Sequence, residues 1–248
     1  MKGIILSGGN GTRLHPLTKI TSKQLLPVYN KPMIMYPLQT LLDAGIRDIL
    51  IIVAPEHSGD YLELLGSGEE FGAKFTFEIQ AKPEGLAQAF IIGENFIDGD
   101  SVCMILGDNI FEDDFSDIIK GFTKGAQVFI KRVRDPERFG VAVLGAELEH
   151  GKMKVIGVQE KPKSHISDYA ITGLYIYDNR VVEFAKQVKP SARGELEITE
   201  LHDRYLKLGE LDAVGVMGEW FDAGTFESLF FASEMIRKKS LNDANMRI

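Results

Sequence analysis

One cysteine and one tryptophan among 248 residues set the first limits on this chain. A single thiol, Cys103, cannot close an internal disulfide, and inside the apolar run 102–106 it reads as packing, not as a nucleophile. No stretch approaches the roughly 20 apolar residues that crossing a bilayer requires. The N-terminal residues lack a leader with a cleavage site, so a cytoplasmic protein without membrane contact is expected. Basic charge is also short. Lys and Arg number 28 against 36 Asp and Glu, and the net charge of −8 excludes a nucleic-acid binder that relies on general attraction to phosphates. The histidines at 15, 57, 150, 165 and 202 lack ligand spacing, which argues against zinc. There is no G-x-S-x-G elbow, no flexible linker, no internal repeat and no low-complexity tract.

What is present is an ordinary globular composition, 44% hydrophobic and 26% charged, in a chain long enough to bury a full core. The first half alternates apolar strand patterns (2–6, 48–54, 74–80, 101–106, 127–133) with helical ones (32–44, 58–65, 85–95, 114–124). This order predicts an α/β fold: a Rossmann-like, mostly parallel central sheet with helices on both faces. After about residue 138 the strands 140–144, 153–159 and 169–177 follow in quick succession, which predicts a smaller antiparallel lobe. Helices at 179–188 and 198–208, a strand at 212–217 and a final helix over 225–239, capped by Thr225, complete the pattern. The expectation is one domain over 1–248, with a nucleotide-binding part at about 1–137, a sugar-binding lobe at about 138–222 and the C-terminal helix at about 225–239.

The first strand runs into Ser7-Gly8-Gly9-Asn10-Gly11-Thr12-Arg13, with Lys23-Gln24-Leu25-Leu26-Pro27 close behind. Closely spaced glycines let the backbone turn and present its N–H groups to phosphate oxygens, and Arg13 and Lys23 add cationic donors. The loop fails as a Walker motif, because Gly11-Thr12-Arg13 stands where Gly-Lys-Ser/Thr is needed. It fails as a dinucleotide fingerprint too: Leu14 replaces the third glycine, and Lys31-Pro32 stand near the expected acidic position. A dehydrogenase is thereby disfavoured.

Two carboxylates follow strand patterns. Asp108 ends the apolar run 102–107, and Asp222 stands in Trp220-Phe221-Asp222-Ala223-Gly224-Thr225. Two hard oxygen ligands beside phosphates suit Mg²⁺, while an Asx turn and a helix-leading cap are the structural alternatives. Glu160-Lys161 and Arg193 could grip a second phosphate and sugar hydroxyls, or form a surface ion pair worth little.

Taken in order, these segments resemble the sugar-1-phosphate nucleotidyltransferase family, closest to its thymidylyl-transferring branch. The matching blocks are residues 8–14, 23–27, 31–34, Gln80 with 85–89, 107–109, 135–140, 160–162, 172–175, 193–199 and 220–225. The resemblance implies transfer of dTMP from dTTP to α-D-glucose 1-phosphate, giving dTDP-glucose and pyrophosphate, with Mg²⁺ on Asp108 and Asp222. It implies a nucleotide site of Leu6, Gly8, Gly9, Gly11, Thr12, Arg13, Lys23, Gln24, Gln80, Pro83 and Gly85. The sugar site would comprise Asn109, Gly140, Glu160, Lys161, Ile171 and Arg193. Arg13, Lys23 and Asp108 would carry the catalysis. It further implies a homotetramer, and dTDP-rhamnose for polysaccharide as the downstream fate.

Two departures stand out. Longer family members carry further C-terminal helices tied to a regulatory nucleotide site, so the resemblance does not by itself imply end-product inhibition here. Ala81-Lys82 stand where thymidylyl enzymes commonly have Pro-Ser. Thymine and uracil differ by one methyl group, worth about 1–3 kcal/mol in a pocket. A uridylyltransferase is therefore the nearest alternative. A non-catalytic sugar-nucleotide-binding subunit is the other, although it would be expected to have lost these charged residues.

Overall fold

The computed structural model describes residues 1–148 and 151–245, so His150 lies outside the described residues. Strands β1 (Lys2–Ser7), β4 (Asp48–Val53) and β6 (Val102–Leu106) form the parallel heart of the sheet, with β5 (Lys74–Ile79) at one edge. Their apolar runs are buried on both faces. Ile4 and Leu6 enter one core cluster, and Ile5 enters the other. Helices α1 (Met35–Asp43), α2 (Ser58–Leu65) and α5 (Ser116–Lys120) pack on the Ile5 side; α3 (Gln88–Ile92), α6 (Val181–Lys186) and α7 (Ile198–Lys207) pack on the Ile4 side.

The later strands are not a detached lobe. Strands β8 (Ala126–Arg132), β9 (Gly140–Glu147), β10 (Lys152–Glu160), β11 (Tyr169–Tyr177) and β12 (Leu211–Gly215) extend the same sheet, which among the described residues has nine strands in the order β5-β4-β1-β6-β11-β8-β12-β10-β9. Strand β11 runs antiparallel to both β6 and β8, and β10 antiparallel to both β12 and β9. The antiparallel character expected after residue 138 is therefore present, as one continuation of the α/β sheet.

Several expected boundaries move. The helix expected from residue 32 starts at Met35, because Lys31–Pro32 (β3) pairs with Pro27–Val28 (β2) in a short ladder. The helix expected from 85 starts at Gln88. Gly85 sits at φ +112, where an added Cβ would lie 2.5 Å from the Leu196 backbone, so the chain passes as a turn. Short helix α4 (Glu94–Ile97) follows after Gly93. The final helix, α8 (Phe226–Asn245), runs beyond the expected 239, and the Ser228 N–H donates to Thr225 Oγ1 at 3.2 Å, as an N-cap would have it. A feature with no sequence signature is the ribbon formed by β7 (Asn109–Phe111) and β13 (Trp220–Asp222), paired antiparallel.

The core bears on both halves of the sheet. Phe129 on β8 is fully buried, with its ring 4.8 Å from that of Phe115 before α5. Phe129→Ala is expected to cost about 3–5 kcal/mol of unfolding free energy, measured by urea denaturation, because the vacated volume cannot be refilled.

Candidate active site

The carboxyl ends of β1 and β6 open onto two adjoining cavities, each about 220 Å³, whose walls share Leu86, Leu106 and Asp108. One is lined by Leu6, Gly9, Lys23, Gln24, Gln80, Pro83 and Gly85, and so gathers most of the residues expected to hold a nucleotide. The other is lined by Arg13, Asn109, Gly140, Glu160, Lys161, Ile171 and Asp222, which include five of the six expected at the sugar. A ligand at a crevice outside the strand ends is where open α/β sheets bind.

At the junction, Lys23 and Asp108 form a buried ion pair. Lys23 opens a one-turn helix, Lys23–Leu25, that follows the glycine loop, while Asp108 leads into β7. Ribbon register sets Asp222 opposite Asn109, and the Ala223 N–H donates to the Asp108 carbonyl at 2.9 Å. The two carboxylates, more than a hundred residues apart in sequence, thus share one corner. Arg13 Nη2 stands 3.8 Å from Asp222 Oδ2.

Their electrostatics differ. Burial opposes ionisation of Asp108, but contact with Lys23 outweighs it and holds the carboxyl below its usual range. Asp222 has no cation so close. Burial, and then the neighbouring charge of Asp108, push it up to about 6, against the pull of Lys23 and Arg13. Among the described residues there is no cluster of three or more His, Cys, Asp or Glu side chains able to hold a metal. The pair nevertheless fits a hard divalent cation: two oxygen donors, mutually repelling and partly desolvated, with phosphate and water oxygens to complete the shell.

The glycine loop is shaped by what it touches. A Cβ at Gly8 would collide with the Gln80 amide oxygen, and Gly11 adopts φ +60 with Thr18 and Lys23 at its back. Gly8, Gly11 and Thr12 do not line either cavity wall; Thr12 is exposed at the start of a one-turn helix, Thr12–Leu14. Below the loop, Ser22 Oγ and Tyr61 Oη donate to Gln24 Oε1 at 2.8 and 3.3 Å.

In the second cavity, Asn109 Oδ1 accepts from the Gly173 N–H at 2.9 Å and from Trp220 Nε1 at 2.7 Å. Gly140 is required because a Cβ there would lie 2.8 Å from Thr199. Glu160, at the end of β10, is raised by burial and by the charge of Glu197, against Arg193 and Lys161. Lys161 takes a left-handed φ of 38, an uncommon conformation for a non-glycine residue. Arg193 is not in the cavity wall. Its guanidinium donates to Glu160 at 3.0 Å and to Glu197 at 2.8 and 3.1 Å. Trp220, Arg138, Thr199 and Tyr175 also line this second cavity and were not among the residues expected from the sequence. Each lies inside a quoted block, and Trp220, the one tryptophan of the chain, was the most visible of them.

A glycine loop at the end of β1, a buried lysine and two neighbouring carboxylates thus meet between paired cavities. The chain belongs to the nucleotidyl transferase family, whose model matches residues 2–239. It is 53% identical over 244 residues to a glucose-1-phosphate thymidylyltransferase of Neisseria meningitidis, covering 96% of this chain and 83% of that protein. It is 47% identical over 243 residues to the enzyme of the same name from Mycolicibacterium smegmatis, covering 96% and 82%. A crystal structure from Bacillus anthracis, provisionally assigned as a glucose-1-phosphate thymidylyltransferase and solved in complex with a sucrose, superposes with a TM-score of 0.87 at 48% identity, covering 96% and 95%. UDP-glucose pyrophosphorylase complexed with UDP-glucose superposes at 0.85 with 25% identity, covering 96% and 98%. Nucleotidyltransferases of this family generally use a divalent metal.

A carboxyl whose folded-state value is raised favours folding while protonated and loses that contribution as pH climbs through about 6. Asp222→Asn imitates the protonated form. With a chelator present, this variant is expected to exceed the parent in stability by up to about 3 kcal/mol near pH 8, the gain fading toward about pH 4. Denaturant titrations at the two pH values check this.

Proposed function

We propose that this chain transfers dTMP from dTTP to α-D-glucose 1-phosphate, releasing pyrophosphate and forming dTDP-glucose. The observation that carries the reading is the meeting of Lys23, Asp108, Asp222 and Arg13 where the two cavities join. The nucleotide occupies the part built from about residues 1–137, the sugar phosphate the part from about 138–222. Likeness to several enzymes named for this activity supports the choice of substrates.

Two anionic reactants must approach, so catalysis consists of alignment and charge stabilisation. The ionised sugar phosphate needs no general base. Its oxygen attacks the α-phosphorus in line, the bond to the β-phosphate oxygen breaks, and no covalent enzyme intermediate forms. Lys23 offsets charge at the α-phosphate. Arg13 and the N–H groups of Gly8, Gly9, Gly11 and Thr12 hold the departing phosphates. Gln24 and Gln80 contact the deoxyribose and base, with Leu6, Pro83 and Gly85 shaping the base pocket. Asn109, Gly140, Glu160 and Ile171 hold the glucose; Lys161 and Arg193 take its phosphate. Asp108 and Asp222 hold Mg²⁺, which when bound neutralises phosphate charge. A four-copy assembly belongs to this reading, and the exposed Phe230 and Phe231 rings of α8 offer apolar surface for it to cover.

Pyrophosphate release with Mg²⁺, a panel of nucleoside triphosphates and several sugar 1-phosphates tests the proposal. Asp108→Asn, Asp222→Asn and Lys23→Ala are each expected to lower kcat by about 100-fold or more with the fold retained. UTP is expected to have a kcat/KM about 10-fold or more below that of dTTP, from the missing methyl contact. Parent-like turnover in both aspartate variants would remove the metal assignment.

A further inference from the structure

Gln80, in the wall of the nucleotide-side cavity, ends a chain of amides whose polarity is forced from outside that wall. The Glu84 backbone N–H can only donate, and it points at Gln88 Oε1, 3.1 Å away. The Glu84 carboxylate can only accept when ionised, and Gln88 Nε2 donates to it at 2.8 Å. These two single-role partners fix which way the Gln88 amide faces. Because Gln88 Oε1 is an acceptor, the next amide must offer its nitrogen, and Gln80 Nε2 donates to it at 2.6 Å.

Gln80 is thereby left with Oε1 as its free end. That oxygen lies against Gly8, where only a glycine leaves room for it, and it has no hydrogen-bond partner among the described residues although Gln80 is buried and lines the cavity. Gln80 lines the cavity, and this oxygen is not among the fully buried unpartnered side-chain atoms of the described residues. Gln80 therefore keeps an acceptor to offer a ligand in this cavity, and the choice is made at Glu84, which is not in the wall.

We infer that Gln88, locked by Glu84, is a positioning residue that turns the Gln80 carbonyl toward the base and so selects thymine-type bases over cytosine. This rests on the reading of that cavity as the base site. A thymine or uracil edge carries an N3–H donor, which Gln80 Oε1 accepts. Cytosine offers a lone pair at N3 and an amino group at C4, so its N3 would face the Gln80 oxygen with no proton between them. A reversed Gln80 would favour cytosine. Gln88 itself need not touch the nucleotide.

Initial rates with dTTP and with dCTP, using α-D-glucose 1-phosphate and Mg²⁺, separate the possibilities in four proteins. The parent should favour dTTP. Gln88→Lys puts a donor where the acceptor stood, which reverses Gln80; the ratio of kcat/KM for dTTP over dCTP should fall by roughly 10-fold or more, with dCTP improved in absolute terms. Gln88→Leu should raise KM for dTTP without helping dCTP. The exchanged pair Glu84→Gln with Gln88→Glu keeps an acceptor facing Gln80 and should restore a parent-like ratio. An unchanged ratio in the lysine and leucine variants overturns the inference, as does an exchanged pair no better than the leucine variant. A parent that releases no pyrophosphate from dTTP sinks the functional reading, and the inference with it. A parent active on dTTP with an unaltered ratio in the variants sinks the inference alone.

Discussion

The buried contact between Lys23 and Asp108 governs the rest of the site. Two carboxylates and one lysine close together in a desolvated corner cost free energy that their mutual attraction does not fully return. The lysine settles which acid carries charge: Asp108 stays ionised, and Asp222, second in line, is held up to about 6. A corner of this kind repels phosphates unless a cation arrives with them. On the proposed function, metal and polyphosphate would enter together, each removing the obstacle to the other.

That corner exists because of backbone pairing, not because of side-chain attraction. Asp222 would have no reason to approach Asp108 were β13 not laid against β7 in a register that sets Asp222 opposite Asn109. The register is held from several directions. The Ala223 N–H bonds the Asp108 carbonyl, and the Trp220 indole N–H reaches Asn109 Oδ1, which also takes the Gly173 N–H from the adjoining β11. Gly173 cannot carry a side chain, since a Cβ would stand 2.5 Å from the Asn109 amide. One asparagine therefore joins the central sheet, the ribbon and the cavity lined by Glu160 and Asp222, and its amide geometry constrains all three.

The central parallel strands were legible in the sequence because they are buried on both faces and appear as unbroken apolar runs, as at 49–53 and 102–106. The ribbon was not legible. Three-residue strands are too short to show a period, and their pairing joins segments a hundred residues apart. Helix starts at 35 and 88 were missed for a related reason: Pro32 pairs with Pro27, and Gly85 packs on the Leu196 backbone, contacts that local propensity does not encode. Most of the candidate site was legible through ordered motif blocks and not through chemistry alone. Gln88 lay inside one of those blocks, yet its part in orienting Gln80 depends on hydrogen bonds that only coordinates reveal.

Arg193 shows how an apparently spent side chain keeps a capacity. Glu197 takes Nε and one Nη2 proton, and Glu160 takes the other, so one edge of the guanidinium is fully used. The planar group has five N–H donors in a fixed fork. Nη1 has no hydrogen-bond partner among the described residues, which leaves two donors on a group whose orientation is already fixed. In its proposed role a sugar phosphate need not break the carboxylate contacts; it meets the unused edge of a cation whose rotamer freedom has been removed in advance. The same carboxylates lower the net field that Arg193 presents, so its contribution to phosphate binding is directional more than electrostatic. Lys161, exposed and on a left-handed backbone beside Glu160, is the more plastic charge of the two. On the proposed function, a rigid fork and an exposed ammonium on one anion would divide the work, the first orienting the phosphate and the second compensating its charge.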